Sequence, residues 1–302
     1  MICGFVEPGQ SLPADWDERP ALSYSIAKEM LTKTPLHAWQ MHRLLGGKGQ
    51  PKKKPTPALE RGIIIDHLIL GAAEHRIVVV KAPDFRGKAA QQQRDAAYEA
   101  DKVPVLEEDY AEYEKTAKKL IEQLGPIFGR PKLRAAWLSD EDVLCHGELD
   151  GFSESGSTAE EPIAGIDPGA PIIWDLKSCT DAVDASTESN IYNYDYQIQC
   201  ASYLDCVSSL RPELAEAVQF VLVFAEVTPP YDVRFVKLAR SFVEMGQGQW
   251  GRAVFMWREC LQSNKWPGSG RKLHEVSAPI WAVRREQDLI ARMAGRSLPP
   301  AE

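Results

Sequence analysis

An acid and a lysine two residues apart, Asp175 and Lys177 in the run Trp174-Asp175-Leu176-Lys177-Ser178, are the first candidates for chemistry in this chain. Side chains of a β-strand alternate between its two faces. Ile172, Trp174 and Leu176 therefore point one way, and Asp175 and Lys177 the other. Charges beside a core are costly unless something compensates them. A metal ion, a substrate phosphate or a countercharge is expected there; a solvated surface pair is the plainer reading of the same five residues.

The segment from Val143 to Phe152 alternates in the same way. His146, Glu148 and Asp150 share one face, and Val143, Cys145, Gly147 and Leu149 the other. Ser153 to Ala170, rich in Gly, Ser, Pro and acids, reads as a long hairpin connection between the two strands. Neighbouring strands lie roughly 5 Å apart, so Asp150 and Asp175 could hold one divalent ion between them, with Lys177 beside it. Hard oxygen donors suit Mg2+ or Mn2+. Downstream, Tyr196, Gln199 and Tyr203 form one stripe of a helix, a pattern that packing alone also produces.

In this order, Gly147-x-x-Asp150, Asp175-x-Lys177 and Tyr196-x-x-Gln199-x-x-x-Tyr203 resemble the core motifs of the PD-(D/E)XK nuclease superfamily, and more narrowly the phage-type exonucleases of the RecE, or exodeoxyribonuclease VIII, group. Leu22-Ser23-Tyr24-Ser25, Thr34-Pro35-Leu36-His37 and Arg61-Gly62 before an apolar helix look like that group's opening. Glu226-Val227-Thr228-Pro229-Pro230-Tyr231, Trp266-Pro267-Gly268 and Ala278-Pro279-Ile280-Trp281 look like its closing elements.

The resemblance implies a restriction-endonuclease-like α/β fold in which Asp150, Asp175 and the main-chain carbonyl of Leu176 bind the metal. Lys177 would orient or help deprotonate the attacking water and offset charge on the phosphorane, while Gln199 and Tyr203 support the site or touch the DNA backbone. Many members carry a histidine four residues after the helix glycine; here Gly62 is followed at that spacing by Asp66, with His67 next to it. Adjacent helical residues diverge by about 100°, so one of the two faces the site, and spacing favours Asp66. Glu148 is either a further acid near the metal or the partner of a basic neighbour. The implied activity is Mg2+-dependent 5′-to-3′ exonucleolytic resection of double-stranded DNA ends for recombination. A ring-shaped homo-oligomer and a single-strand annealing partner go with it. A structure-specific endonuclease on the same fold, or an inactive nuclease-fold DNA-binding protein, are the alternatives.

The elements that must position these residues follow from periodicity. Helices are expected over Tyr24–Gly46, Pro57–Ala73, Lys88–Ala100, Glu107–Leu124, Tyr192–Ser209 and Phe242–Asn264. Further strands are expected over Arg76–Lys81, Val218–Val227 and Tyr231–Leu238. The last helix carries a stripe of Phe242, Met245, Gln249, Ala253 and Met256, and Trp250, Trp257, Trp266 and Trp281 are expected to pack the C-terminal part. Together they predict a mixed central sheet flanked by helices in one domain: a helical part at about 20–125, a catalytic core at about 135–240 and a second helical part at 241–302.

With 302 residues, 44% hydrophobic, a sizeable core is affordable. No apolar run approaches the roughly 20 residues of a membrane span. The opening MICGFVEPGQ lacks a secretion signal, which points to the cytoplasm. The six cysteines are scattered without a CxxC pair, so neither a structural zinc site nor an iron–sulfur cluster is expected. A net charge of −8 speaks against a DNA-coating protein but allows basic residues along one channel. Two clusters are candidates for DNA phosphate contacts, although each is more often a solvated face than a DNA track. The first is Lys48, Lys52, Lys53, Lys54 and Arg61, leading into the Gly62 helix; the second is Lys115, Lys118, Lys119, Arg130, Lys132 and Arg134. The first is preferred, with Tyr196 as a further contact.

Overall fold

Ser23, Thr34 and Thr56 each begin a helix by the same device, a side-chain oxygen that accepts a hydrogen bond from the backbone N–H three residues on. The computed structural model describes residues 3–7, 10, 13, 16, 18–49, 54–71, 76–139, 142–157, 162–270, 273 and 275–293. Helix α1 (Tyr24–Thr32) follows Ser23, and α2 (Pro35–Met41) follows Thr34. The single helix expected over Tyr24–Gly46 is thus divided, because Pro35 lacks an N–H and fits a first turn but not an interior. Helix α3 (Pro57–Leu70) follows Thr56 and ends at Gly71, whose φ of 73° is the left-handed cap that glycine adopts freely; the expected end at Ala73 lies outside the described residues.

Strand β2 (Ile77–Val80), helix α4 (Lys88–Glu99), strand β3 (Val103–Leu106) and helix α5 (Glu107–Leu124) follow, with β2 and β3 paired in parallel as a small sheet of their own. The main sheet, among the described residues, has the order β1 (Gly4–Val6), β4 (Arg130–Leu138), β5 (Leu144–Ser153), β6 (Ile172–Cys179), β7 (Gln219–Glu226) and β8 (Val233–Lys237). Its neighbours are antiparallel except β6 and β7, which are parallel, so the sheet is mixed as expected. A parallel pair needs a crossover, supplied by α6 (Asp184–Asn193) and α7 (Tyr196–Leu210). The helix expected to start at Tyr192 begins instead at Tyr196, because Asp195 takes a left-handed φ of 57° that breaks the run.

The sheet carries a core on each face. Ile173, Leu222 and Phe224 pack against α1, α7 and α8 (Arg240–Ser263) on one side; Trp174, Leu176, Val221 and Val223 pack against Ile65 of α3 and Leu120 of α5 on the other. Strand β7 is buried along its whole length, as a central strand covered on both faces must be. Asp205 of α7 accepts hydrogen bonds from the indole N–H groups of Trp137 (2.7 Å) and Trp250 (3.0 Å), which fixes α7 between β4 and α8.

Two expectations for the C-terminal part are corrected. The buried stripe of α8 is Gly246, Trp250, Ala253, Val254, Trp257 and Cys260, while Met245 is exposed. Gly246 sets this rotation: a Cβ there would lie 2.1 Å from the carbonyl oxygen of Gln197, so only glycine lets α8 approach α7 so closely. Trp250 and Trp257 are buried and Trp266 packs edge-on to Trp257 at 5.2 Å, but Trp281 is 67% exposed and belongs to no core. Residues Met1–Gly268 form one compact unit holding both sheets; Ser269–Glu302 form a second, which contains α9 (Ile280–Met293). No helix among the described residues is long and apolar enough to cross a membrane.

Candidate active site

The pairing of β5 with β6 runs from Ser153 opposite Ile172 to Gly151 opposite Trp174 and stops there. The next residues on the two strands are Asp150 and Asp175. Beyond this point the strands part, and the Oδ2 of Asp150 takes the place of a ladder acceptor by receiving the N–H of Leu176 at 2.9 Å. In a strand the N–H and C=O of one residue point to the same side, so the Leu176 carbonyl faces the same gap. The expected pair of acids on adjoining strands is therefore present, with the backbone group at its side.

Asp175 is 1% exposed and paired with Lys177. Gln199 ties the two together: its Nε2 donates to Asp175 Oδ1 at 2.7 Å, and its Oε1 accepts from Lys177 Nζ at 3.0 Å. The same Nε2 lies 3.2 Å from the Tyr203 hydroxyl, which donates to the carbonyl oxygen of Glu148 on β5 at 2.7 Å. Gly147 makes room for that contact, since a Cβ there would sit 3.2 Å from the Tyr203 ring. Tyr196 places its ring 4.6 Å from Lys177 Nζ. The stripe Tyr196, Gln199, Tyr203 thus faces the acid–lysine pair rather than serving packing alone.

Electrostatics follow from this burial. Burial pushes Asp175 up to about 6, and Asp150 adds to the rise against the pull of Lys177. Burial would strip Lys177 of its proton, but the carboxylates of Asp175 and Asp150 outweigh it and raise its pKa. An ammonium held in this way is a hydrogen-bond donor turned toward the acids, the arrangement that orienting a water requires. Burial, then Asp175 and Asp150, also hold the Tyr203 phenol well above its usual range, so it stays a neutral donor.

Helix α3 brings Asp66 to the same place. Gly62 permits this, because its absent Cβ would lie 3.3 Å from Ser178 Oγ on β6. Asp66 lines a cavity of about 340 Å³ together with Asp150, Asp175, Lys177, Tyr196 and Gln199. His67 does not line it; instead of the surface residue that a helix-face histidine would be, it is buried on another side of α3. Burial and then the charge of Asp150 push Asp66 up to about 7, against the pull of Lys132.

Lys132 is the residue that sequence reading misplaced. Read from sequence within a basic cluster that is a solvated face more often than a DNA track, it instead pairs with Asp66, donates to Asp150 Oδ1 at 2.7 Å and lies 3.6 Å from Glu148. No spacing signal marks it, because its partners come from a helix 66 residues away in sequence and from the next strand. Glu148, left open between a metal-side acid and an ion-pair partner, pairs with a basic neighbour. The rest of that cluster disperses: Lys115 pairs with Glu112, Lys119 lies over the Tyr231 ring, and Arg130 bridges Glu7 and Glu154. Of the first cluster, Lys52 and Lys53 lie outside the described residues. Lys54 pairs with Asp95 at 3.7 Å and lies over the Tyr98 ring, and neither Lys54 nor Arg61 lines the cavity.

The donor set suits a hard divalent cation: carboxylates of Asp66, Asp150 and Asp175 and the Leu176 carbonyl. With all four ionised, Asp66, Glu148, Asp150 and Asp175 against Lys132 and Lys177 leave two negative charges, the charge one such ion would neutralise. Among the described residues the acids are not drawn together closely enough to hold an ion as they stand; the Lys132 ammonium lies between Asp66 and Asp150.

A mixed sheet flanked by helices opens between two strands to expose paired acids and a lysine. Residues 164–277 match the model of a PDDEXK-like domain of unknown function (DUF3799), a stretch that holds Asp175, Lys177, Gln199 and Tyr203 but begins after Asp66 and Asp150. The structure is similar to the crystal structure of a protein from Eubacterium rectale named "Putative exonuclease", with a TM-score of 0.53 and 12% identity over 91% of this chain and 98% of that one. This second likeness is one of fold. No curated protein matches the chain.

Proposed function

We propose that this protein is a divalent-metal-dependent deoxyribonuclease, and specifically an exonuclease that hydrolyses phosphodiester bonds from double-stranded DNA ends. The observation that carries the reading is the Asp175–Lys177 pair, locked by both ends of the Gln199 amide and set beside Asp150 across the strand gap. An acid pair with a charged lysine at the mouth of a cavity matches phosphoryl transfer to water, where charge builds on the non-bridging oxygens. Bound Mg2+ or Mn2+ would polarise the phosphoryl oxygen and activate water, held by Asp150, Asp175, the Leu176 carbonyl and Asp66. Lys177 contributes hydrogen bonds to the attacking water or to a phosphoryl oxygen. Gln199 and Tyr203 keep Asp175, Lys177 and β5 in one geometry.

Polarity, assembly and partners rest on the resemblance to the exodeoxyribonuclease VIII group. By it the enzyme resects 5′ to 3′ in phage-type recombination in the cytoplasm, as a ring-shaped homo-oligomer that hands its product to a single-strand annealing protein. Lys52, Lys53, Lys54, Arg61 and Tyr196 would carry DNA contacts. The test compares linear double-stranded DNA with a covalently closed circle of the same sequence, in Mg2+ and in EDTA, with Lys177→Ala alongside. Loss of the linear DNA alone, abolished by EDTA and by the substitution, supports the exonuclease. Cleavage of the circle replaces it with an endonuclease, and binding without cleavage with a non-enzymatic DNA-binding protein.

A further inference from the structure

The β4–β5 ladder is continuous on either side of one step, with Pro131 opposite Gly151 and Leu133 opposite Leu149, while Lys132 and Asp150 between them are left out of the pairing. Lys132 has a φ of 52°, the left-handed region that a side chain with a Cβ adopts at a penalty of roughly 1–2 kcal/mol. The turn in the backbone does nothing for the sheet, since pairing resumes at the next residue. What it achieves is placement: the Lys132 ammonium, 11% exposed, lies between the carboxylates of Asp66 and Asp150. Local strain of this kind persists where the surroundings over-determine it, and it concentrates at functional sites.

We propose that Lys132 is a built-in counter-cation of the carboxylate cluster, displaced when a divalent ion binds, and that Glu148 receives it. The inference rests on the metal-dependent reading above. Two carboxylates converging in a half-dry cleft repel each other, and the ammonium between Asp66 and Asp150 offsets that repulsion. A divalent ion competing for the same two carboxylates must move that ammonium. Glu148 gives it somewhere to go: it precedes Asp150 by two residues on the same face of β5, lies 3.6 Å from Lys132 Nζ, and is 46% exposed. Lys177 has no such exit, since Asp175 and Gln199 hold it from both sides. The exchange makes the site refuse weakly bound monovalent ions and accept a doubly charged one, with no bond made or broken beyond ion pairs.

Mn2+ binding to the full chain, measured by titration calorimetry and by the spin-resonance signal of the ion, tests this without reference to cleavage. Lys132→Met is expected to bind Mn2+ about tenfold more tightly than wild type, within the usual range of coupling between two sites, and to melt lower in EDTA. Lys132→Gln, which keeps a hydrogen-bond donor, serves if the methionine variant does not fold, with the same sign. Glu148→Gln is expected to weaken binding several-fold in the wild-type background and hardly at all beside Lys132→Met. Unchanged or weaker binding by both Lys132 variants overturns the exchange. An equal loss from Glu148→Gln in both backgrounds also overturns it and makes Glu148 a direct metal-side acid. Absence of Mn2+ binding by wild type overturns the metal-dependent reading itself, a result distinct from either.

Discussion

Asp150 and Asp175 stand at the same level of two adjoining strands, each one residue past the last paired position, where Gly151 faces Trp174. The end of the ladder creates the site: the backbone groups released there are turned to Asp150 and to the cavity instead of to the neighbouring strand. The acids are held by hydrogen-bonded partners on three separate elements, β4, β6 and α7, so each substitution below has a definite local consequence.

Lys177→Ala should reduce cleavage by at least about a hundredfold, the usual effect of removing one donor aimed at developing charge. It should also destabilise the metal-free protein, because Asp175 is 1% exposed and would lose its countercharge, a loss of about 3–5 kcal/mol for a buried pair. Urea denaturation in EDTA measures the second effect, and single-turnover cleavage of linear DNA the first.

Gln199→Met keeps the volume but loses both ends of the clip between Asp175 and Lys177. The expected outcome is a stability loss of about 1–3 kcal/mol with a larger fall in cleavage than Tyr203→Phe produces. Tyr203→Phe removes only the hydroxyl that reaches Glu148 and Gln199 and should destabilise by about 1 kcal/mol. Equal effects of the two on cleavage would show that Gln199 does no more than support the strand.

Stability of the metal-free protein should fall as pH rises from about 4 to about 7. Asp66 is raised to about 7 and Asp175 to about 6 in the folded chain, both by burial first, against an unfolded carboxylate near 4. The folded state therefore binds more protons across that window, and the stability this contributes is full below the lower value and lost above the higher. Asp66→Asn should flatten the fall and melt higher than wild type at pH 8 in EDTA. A wild-type curve that rises over the same window would contradict the assignment.

Asp66→Ala should weaken Mn2+ binding by at least about tenfold, whereas His67→Gln should leave it within about twofold, in the range separating a ligand from a bystander. His67 is buried away from the cavity, so its substitution should act on thermal stability instead. The reverse pattern, measured by calorimetry, would return the histidine to the site.

Alternation and spacing alone determined a good deal here. Asp175 and Lys177 share a face because a strand has a two-residue period, and Tyr196, Gln199 and Tyr203 share one because a helix has a 3.6-residue period; both hold in the structure. The mixed sheet followed from strands joined by one hairpin and one helical crossover. Pro35 and Asp195 divided helices that periodicity had run together. Tertiary structure decided the rest. The rotation of α8 was set by the approach of Gly246 to the Gln197 backbone, which a hydrophobic stripe read along one helix does not contain. The choice of Asp66 over His67 depended on how α3 rests on β6 at Gly62. Lys132 could not be recognised at all, because its function lies in where one left-handed residue aims an ammonium between acids from a helix and a strand that meet only in the folded chain.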